Sequence, residues 1–232
     1  MDYHVVLQAS QLKYTHPKTK LRILTGIDLK VYNNEIVAIV SRAGSGRTTL
    51  LQHLSGLIVP QVGDVTINGK SVSENPNYPF HKHVGLLFEN PDDQIFYPIV
   101  VDDIAFGPRN LHLPKSEIHE RVLNACREVN ILHLLERETS TLSFGEKTLV
   151  AIAGILAMRS EIILLDTPEV GLDLWTKPDI IRLILKLRKQ HTIVIATNDT
   201  DMLRTADRIL VLWEGKIRAE YGSLSEFKRE LS

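Results

Sequence analysis

The chain has 232 residues, 44% of them hydrophobic and 24% charged, with a formal net charge of -1. That length supplies one large or two modest cores, and the near-neutral balance excludes a nucleic-acid binder that relies on a broad basic field. The longest apolar runs, such as Glu161 to Leu165 with its flanks, fall far short of the ~20 residues that span a bilayer.

Met1-Asp2-Tyr3-His4 is polar, unlike a signal segment. The single cysteine, Cys126, can form no internal disulfide and reads as a small packed residue of a helix. These features predict a soluble, cytoplasmic protein that can still sit on a membrane partner.

In chain order, Val5, Leu7 and Leu12 lead to Tyr14, and after a turn around Pro17 the segment Arg22–Val31 alternates again, as antiparallel strands do. Glu35–Val40 is a continuous apolar run, expected for a strand buried on both faces. A Gly/Ser-rich turn follows, then Thr48–Leu54 with helical spacing. Gly63–Gly69 reads as a strand ending at an Asn-Gly turn, and Val84–Phe88 as another buried strand. Asp102-Asp103 opens one helical segment, and Pro114 precedes an amphipathic one running through Ile118, Val122, Leu123 and Cys126. After Ser143 come a helix (Val150, Ile152, Ile155, Leu156), the strand Glu161–Asp166, a helix over Ile180–Leu187, the strand Thr192–Thr197 and a hairpin over Ile209–Ile217. Buried strands alternating with helices predict a largely parallel sheet.

Ser41-Arg42-Ala43-Gly44-Ser45-Gly46-Arg47-Thr48-Thr49 lies between a buried strand and a helix, the context of the phosphate-binding loop G-x-x-x-x-G-K-[S/T]. Glycines let such a backbone curl so that its N–H groups face phosphate oxygens at a helix start. Ser41 stands where the first glycine belongs, and Arg47 where the lysine belongs. Arginine keeps the charge but is longer and planar. An ordinary Gly-Ser-Gly turn between strand and helix would have the same composition.

Further marks resemble those of ABC ATPases, in that family's order and over essentially the whole chain. Leu142-Ser143-Phe144-Gly145-Glu146 resembles the signature Leu-Ser-Gly-Gly-Gln. Ile162–Asp166 resembles the Walker B strand, and Val170-Gly171-Leu172-Asp173 the D-loop. Phe88-Glu89-Asn90-Pro91-Asp92-Asp93-Gln94, with Asp103-Ile104-Ala105-Phe106-Gly107-Pro108, is similar to the segment after the Q-loop in energy-coupling-factor and cobalt-type importers. Members of that group usually continue into a small C-terminal dimerisation region, which on this reading is absent here.

The resemblance implies an α/β fold: a P-loop NTPase core with a mostly parallel sheet, an antiparallel N-terminal subdomain, and a helical subdomain inserted at about 101–141, all in one domain over 1–232. It implies ATP and Mg²⁺ as ligands. Tyr14 would stack on adenine, Ser41 to Thr49 would hold the phosphates, and Thr48, Asp166 and Glu89 would lie at the metal. Ser143, Phe144, Gly145 and Glu146, with Asp173, would face a second ATP-binding subunit. A membrane coupling subunit would complete the partners, and the protein would be peripheral on the inner face of the cell membrane.

The same resemblance exposes departures at the reactive positions. Thr167 follows the Walker B aspartate where a glutamate normally polarises water, and a hydroxyl lacks that general-base help, typically worth ~10²–10⁴ in rate. Asn198 replaces the switch histidine and Glu89 the Q-loop glutamine. Phe144 replaces a signature glycine, so its ring is expected to obstruct closure, and Glu146 replaces the signature glutamine. Glu169, three residues past Asp166, is a carboxylate that could substitute, but Pro168 intervenes and the resemblance aims that position towards the dimer interface, so it reads instead as a solvated or interfacial charge. Fold-bearing positions such as Gly44, Gly46, Gly85, Gly107 and Gly171 are kept. The expectation is weak nucleotide binding with little turnover. Three readings stay open: a working importer ATPase, a non-hydrolytic half of a heterodimer, and a fold-only scaffold that binds no nucleotide.

Overall fold

The computed structural model describes residues 4–230, so Met1, Asp2 and Tyr3 of the polar opening and the last two residues lie outside it. The chain begins with strands β1 (Val5–Thr15), β2 (Arg22–Tyr32) and β3 (Ile36–Ser41), then helix α1 (Arg47–Leu54). Strands β4 (Val62–Ile67), β5 (Lys70–Ser71) and β6 (Val84–Leu87) follow. Helices α2 (Val100–Asn110), α3 (Lys115–Glu128) and α4 (Phe144–Ala157) precede β7 (Ile162–Asp166), α5 (Thr176–Leu187) and β8 (Thr192–Ala196). The described chain closes with α6 (Thr200–Leu203), the hairpin β9 (Arg208–Trp213) and β10 (Lys216–Tyr221), and α7 (Leu224–Glu230).

Two sheets form. The first is antiparallel, in the order β2-β1-β4-β5, and the second runs β10-β9-β3-β8-β7-β6. Within the second, β9, β3, β8, β7 and β6 are mutually parallel and only β10 is antiparallel. Asn68 (φ 47°) and Gly69 (φ 75°) make the turn from β4 into the two-residue β5, with the positive φ values that a tight hairpin requires.

The continuous apolar runs of β7 and β8 are explained by burial on both faces. Ile163, Leu165, Ile193 and Ile195 pack towards the helices α2 to α5. Their alternating neighbours Ile162, Leu164, Val194 and Ala196 pack towards α1 and the antiparallel sheet. Cys126 is fully buried on the helical side, and burial pushes its thiol up to about 11, so it is an inert packing residue. Register brings the C-terminal tips of the parallel strands together: Asp166 on β7 lies opposite Ala196 on β8, and Ile39 on β3 lies opposite Ala196 from the other side. In open parallel sheets, ligands bind beyond that edge.

The candidate nucleotide site at the strand tips

The loop after β3 enters α1 through Gly46, which takes φ +90°. A Cβ there would lie 2.6 Å from Ile23 Cγ2, so the close approach of β2 requires glycine. No side chain caps this helix. Its first N–H groups, which like those of any α-helix lack an intrahelical acceptor, thus receive no N-cap side chain, and the positive end of the helix faces the edge of the sheet. Inside the loop Ser45 N–H donates to Arg42 O at 3.2 Å. The Arg42 guanidinium lies 4.3 Å over the ring of Trp213, which ties the loop to β9.

Thr48 and Asp166 are 118 residues apart, yet the Thr48 hydroxyl donates to Asp166 Oδ2 at 2.5 Å. Burial raises the Asp166 pKa and the nearby Glu89 carboxylate adds to the rise, while the Thr48 bond and Arg47 oppose it. Thr48, Gln52, Glu89, Asp166, Val170 and Phe144 share one cavity wall. The Phe144 ring lies against Gly171, where an added Cβ would meet it at 2.8 Å. Tyr14, on β1, packs edge-on against His53 of α1, with ring centroids 4.8 Å apart. It is thus placed beside the helix that the loop opens.

Asn198 follows β8 and clamps the start of the loop. Its amide donates to Ser41 O at 2.9 Å and accepts from Ser41 N–H at 3.2 Å. Ser143 and Glu146 form a reciprocal cap at the start of α4. Glu146 Oε2 accepts from Ser143 N–H at 2.7 Å, and Arg137 pairs with Glu146 Oε1 at 3.1 Å. Asp173 accepts from the N–H groups of Trp175 and Thr176 in the turn that leads into α5. Ser143, Gly145, Glu146 and Asp173 do not line the cavity that holds Thr48 and Asp166, whereas Phe144 does.

Glu169, expected to be a solvated or interfacial charge, is half-buried at the sheet edge. Its Oε1 accepts from the Thr197 hydroxyl at 2.5 Å, and its Oε2 is buried with no hydrogen-bond partner among the described residues. Thr197, which anchors it, carried no signal in the sequence. A carboxylate three residues past Asp166 did, but only the turn between them decides where it points.

The family model described as ABC transporter matches residues 24–170. This chain belongs to the ABC transporter ATP-binding family. Among its ABC relatives is the energy-coupling factor transporter ATP-binding protein EcfA of Methanothermobacter thermautotrophicus. It is 40% identical over 227 residues, which cover 96% of this chain and 73% of the relative. The protein of the same name from Methanocaldococcus jannaschii is 40% identical over 219 residues, covering 93% of this chain and 78% of that one. The solved ABC structure of cbiO1 from Clostridium perfringens, described as part of the transporter complex cbiONQ, has a TM-score of 0.86 at 32% identity. It covers 97% of this chain and 92% of its own. A dimeric cassette in a post-hydrolysis state bound to ADP and Pi shares the fold, with a TM-score of 0.83 at 24% identity and coverage of 93% and 98%.

Proposed function

We propose that this chain is the ATP-binding subunit of an energy-coupling-factor or cobalt-type importer, in which nucleotide binding closes a dimer that drives a membrane subunit. One observation carries the reading: a hydroxyl at an uncapped helix start meets a buried carboxylate at a strand tip, Thr48 to Asp166, at 2.5 Å. Magnesium prefers hard oxygen donors such as these, and on binding it neutralises charge between the terminal phosphates. Arg47 Nη1, at the same loop, is buried without a partner among the described residues, a cationic donor that a phosphate oxygen would satisfy.

In this reading Tyr14 stacks on the base, Ser41 to Thr49 cradle the phosphates, and Thr48, Asp166 and Glu89 flank the metal. Ser143, Phe144, Gly145, Glu146 and Asp173 face the second subunit. Among the described residues no helix is long and apolar enough to cross a membrane, and in this reading the membrane coupling subunit supplies the attachment. The surface assigned to that partner is the groove beside α2 and α4, lined by Phe96, Phe106, Gly85 and Met158. There Phe96 is 65% exposed, with its ring 5.6 Å from that of Phe106.

A second reading, the non-hydrolytic half of a heterodimer, is favoured by Asn198. Its amide is already bonded at both ends to Ser41, which leaves it poorly placed to reach a phosphate. Titration with Mg-ATP beside phosphate release on the same sample tests both readings. Saturable binding is expected, with slow release. Absence of saturable binding at millimolar nucleotide would rule out both and leave the fold-only scaffold. Restoring Arg47→Lys, Phe144→Gly, Thr167→Glu and Asn198→His together is expected to raise turnover by about 10² or more.

A further inference from the structure

Arg47 Nη1, Thr167 Oγ1 and Glu169 Oε2 are buried side-chain atoms without a hydrogen-bond partner among the described residues, and Arg47 is close enough to act on the Glu169 carboxylate. Leaving a buried polar atom unpaired costs about 1–3 kcal/mol. A cationic donor and a carboxylate oxygen left unpaired within electrostatic reach of each other are groups that a ligand and its water would satisfy.

Glu169 reaches its position through a specific turn. Thr167 takes φ +43°, a conformation that costs a β-branched residue about 1–3 kcal/mol. Its N–H is held by Ala196 O at 2.8 Å, and its carbonyl accepts from Val170 N–H at 3.0 Å. Pro168 sits at the second position of that turn, where its fixed φ is favourable. The turn folds Glu169 back over the sheet edge onto Thr197, and the Thr197 hydroxyl also accepts from Asp199 N–H at 2.9 Å. One carboxylate oxygen is therefore pinned to the end of β8 and the other is left free.

The charged groups around Glu169 are Arg47 on α1, which attracts it, and Asp199 after β8, which repels it. Asp199 is in turn paired with Lys177 of α5 at 2.5 Å. Burial dominates and raises the Glu169 pKa, which moves it towards the range in which a carboxylate can accept a proton efficiently.

Resting on the nucleotide-site reading above, we propose that Glu169 is the proton acceptor of this site, its free Oε2 receiving a proton from the water that attacks the terminal phosphate of a nucleoside triphosphate. The water oxygen bonds to the γ-phosphorus as the bond from that phosphorus to the bridging oxygen breaks. The electron pair leaves on the nucleoside diphosphate, and the proton on Glu169 passes to the released phosphate or to solvent. The role lost at Thr167 is thereby supplied two residues later, from a side chain carried by the strained turn.

The test compares the purified chain with Glu169→Gln and Glu169→Asp. The readouts are single-turnover phosphate release from Mg-ATP, calorimetric affinity for a non-hydrolysable ATP analogue and for ADP, and melting temperature. Glu169→Gln is expected to slow release about 10²-fold. It is also expected to bind the triphosphate analogue about 3- to 10-fold tighter, because charge repulsion at the terminal phosphate is removed, with ADP affinity nearly unchanged. Glu169→Asp, one methylene short, falls between the two, and carries the comparison if Glu169→Gln does not fold.

Release by Glu169→Gln within about threefold of the parent, well below the general-base range, overturns the proposal. So does an equal shift for both nucleotides, the sign of a merely structural role, or a parent chain that binds Mg-ATP without releasing phosphate. No saturable binding at all would instead remove the nucleotide-site reading on which the proposal stands.

Discussion

Thr48 and Asp166 show how little of a candidate site needs to be contiguous. The hydroxyl opens α1, the carboxylate ends β7, and parallel pairing through β8 and β3 sets them 2.5 Å apart. Thr48→Ala removes the hydroxyl and leaves Asp166 without the hydrogen bond that offsets its burial. Affinity for Mg-ATP is expected to fall about tenfold, equivalent to ~1.4 kcal/mol, with affinity for ATP in excess chelator nearly unchanged. Isothermal titration with and without magnesium reads the difference, and an equal loss in both conditions would place Thr48 outside the metal's surroundings. The residue types at 48 and 166 were legible from their motifs. The fate of Glu169 was not, because its direction depends on a positive φ at Thr167 and on Thr197, 28 residues further along.

At the scale of elements, α4 shows a signature segment also serving as a helix start. Ser143 and Glu146 satisfy each other's backbone N–H groups across the first turn, a reciprocal cap that an S-x-x-E spacing permits. Ser143→Ala is expected to lower stability by about 1 kcal/mol, read as a drop in denaturant midpoint at constant slope. The Ser143 N–H bond is the main cause holding the Glu146 carboxyl below its ordinary value of 4.5, with Arg137 assisting and partial burial opposing. A depressed folded value means that the stabilisation is fully present above the unfolded value and is lost as pH falls through the folded one. Melting curves between about pH 6 and pH 3 should therefore steepen in their loss of stability for the parent relative to Glu146→Gln; parallel curves would refute the assignment.

Most element types could be read from periodicity: the buried runs that became β3, β7 and β8, and the amphipathic spacing that became α3. The two-residue β5 could not, since it exists only as a partner for the end of β4. The short helices α6 and α7 likewise passed unread, being too brief to carry a period.

At the scale of the molecule, the six-stranded sheet separates two cores, one under the helices and one shared with the antiparallel sheet. The candidate nucleotide site lies at its strand tips, while the aromatic groove opens beside α2 and α4. Separate locations predict separable defects. Replacing Phe96 and Phe106 together with serine is expected to abolish pull-down of a membrane coupling subunit while leaving Mg-ATP affinity within about twofold. Loss of both properties at once would indicate a global change of structure instead.

The sequence by itself determined the family, the α/β class and the residue types at each motif, because hydrophobic period and glycine-rich spacing are local properties of a chain. Only the tertiary structure decided that Asn198 bonds the backbone of Ser41, that Phe144 lies on Gly171, and that Glu169 turns inward. Side-chain direction at a strand tip is set by neighbouring strands and by the dihedral angles of the turn, and neither is written in the local pattern of residues.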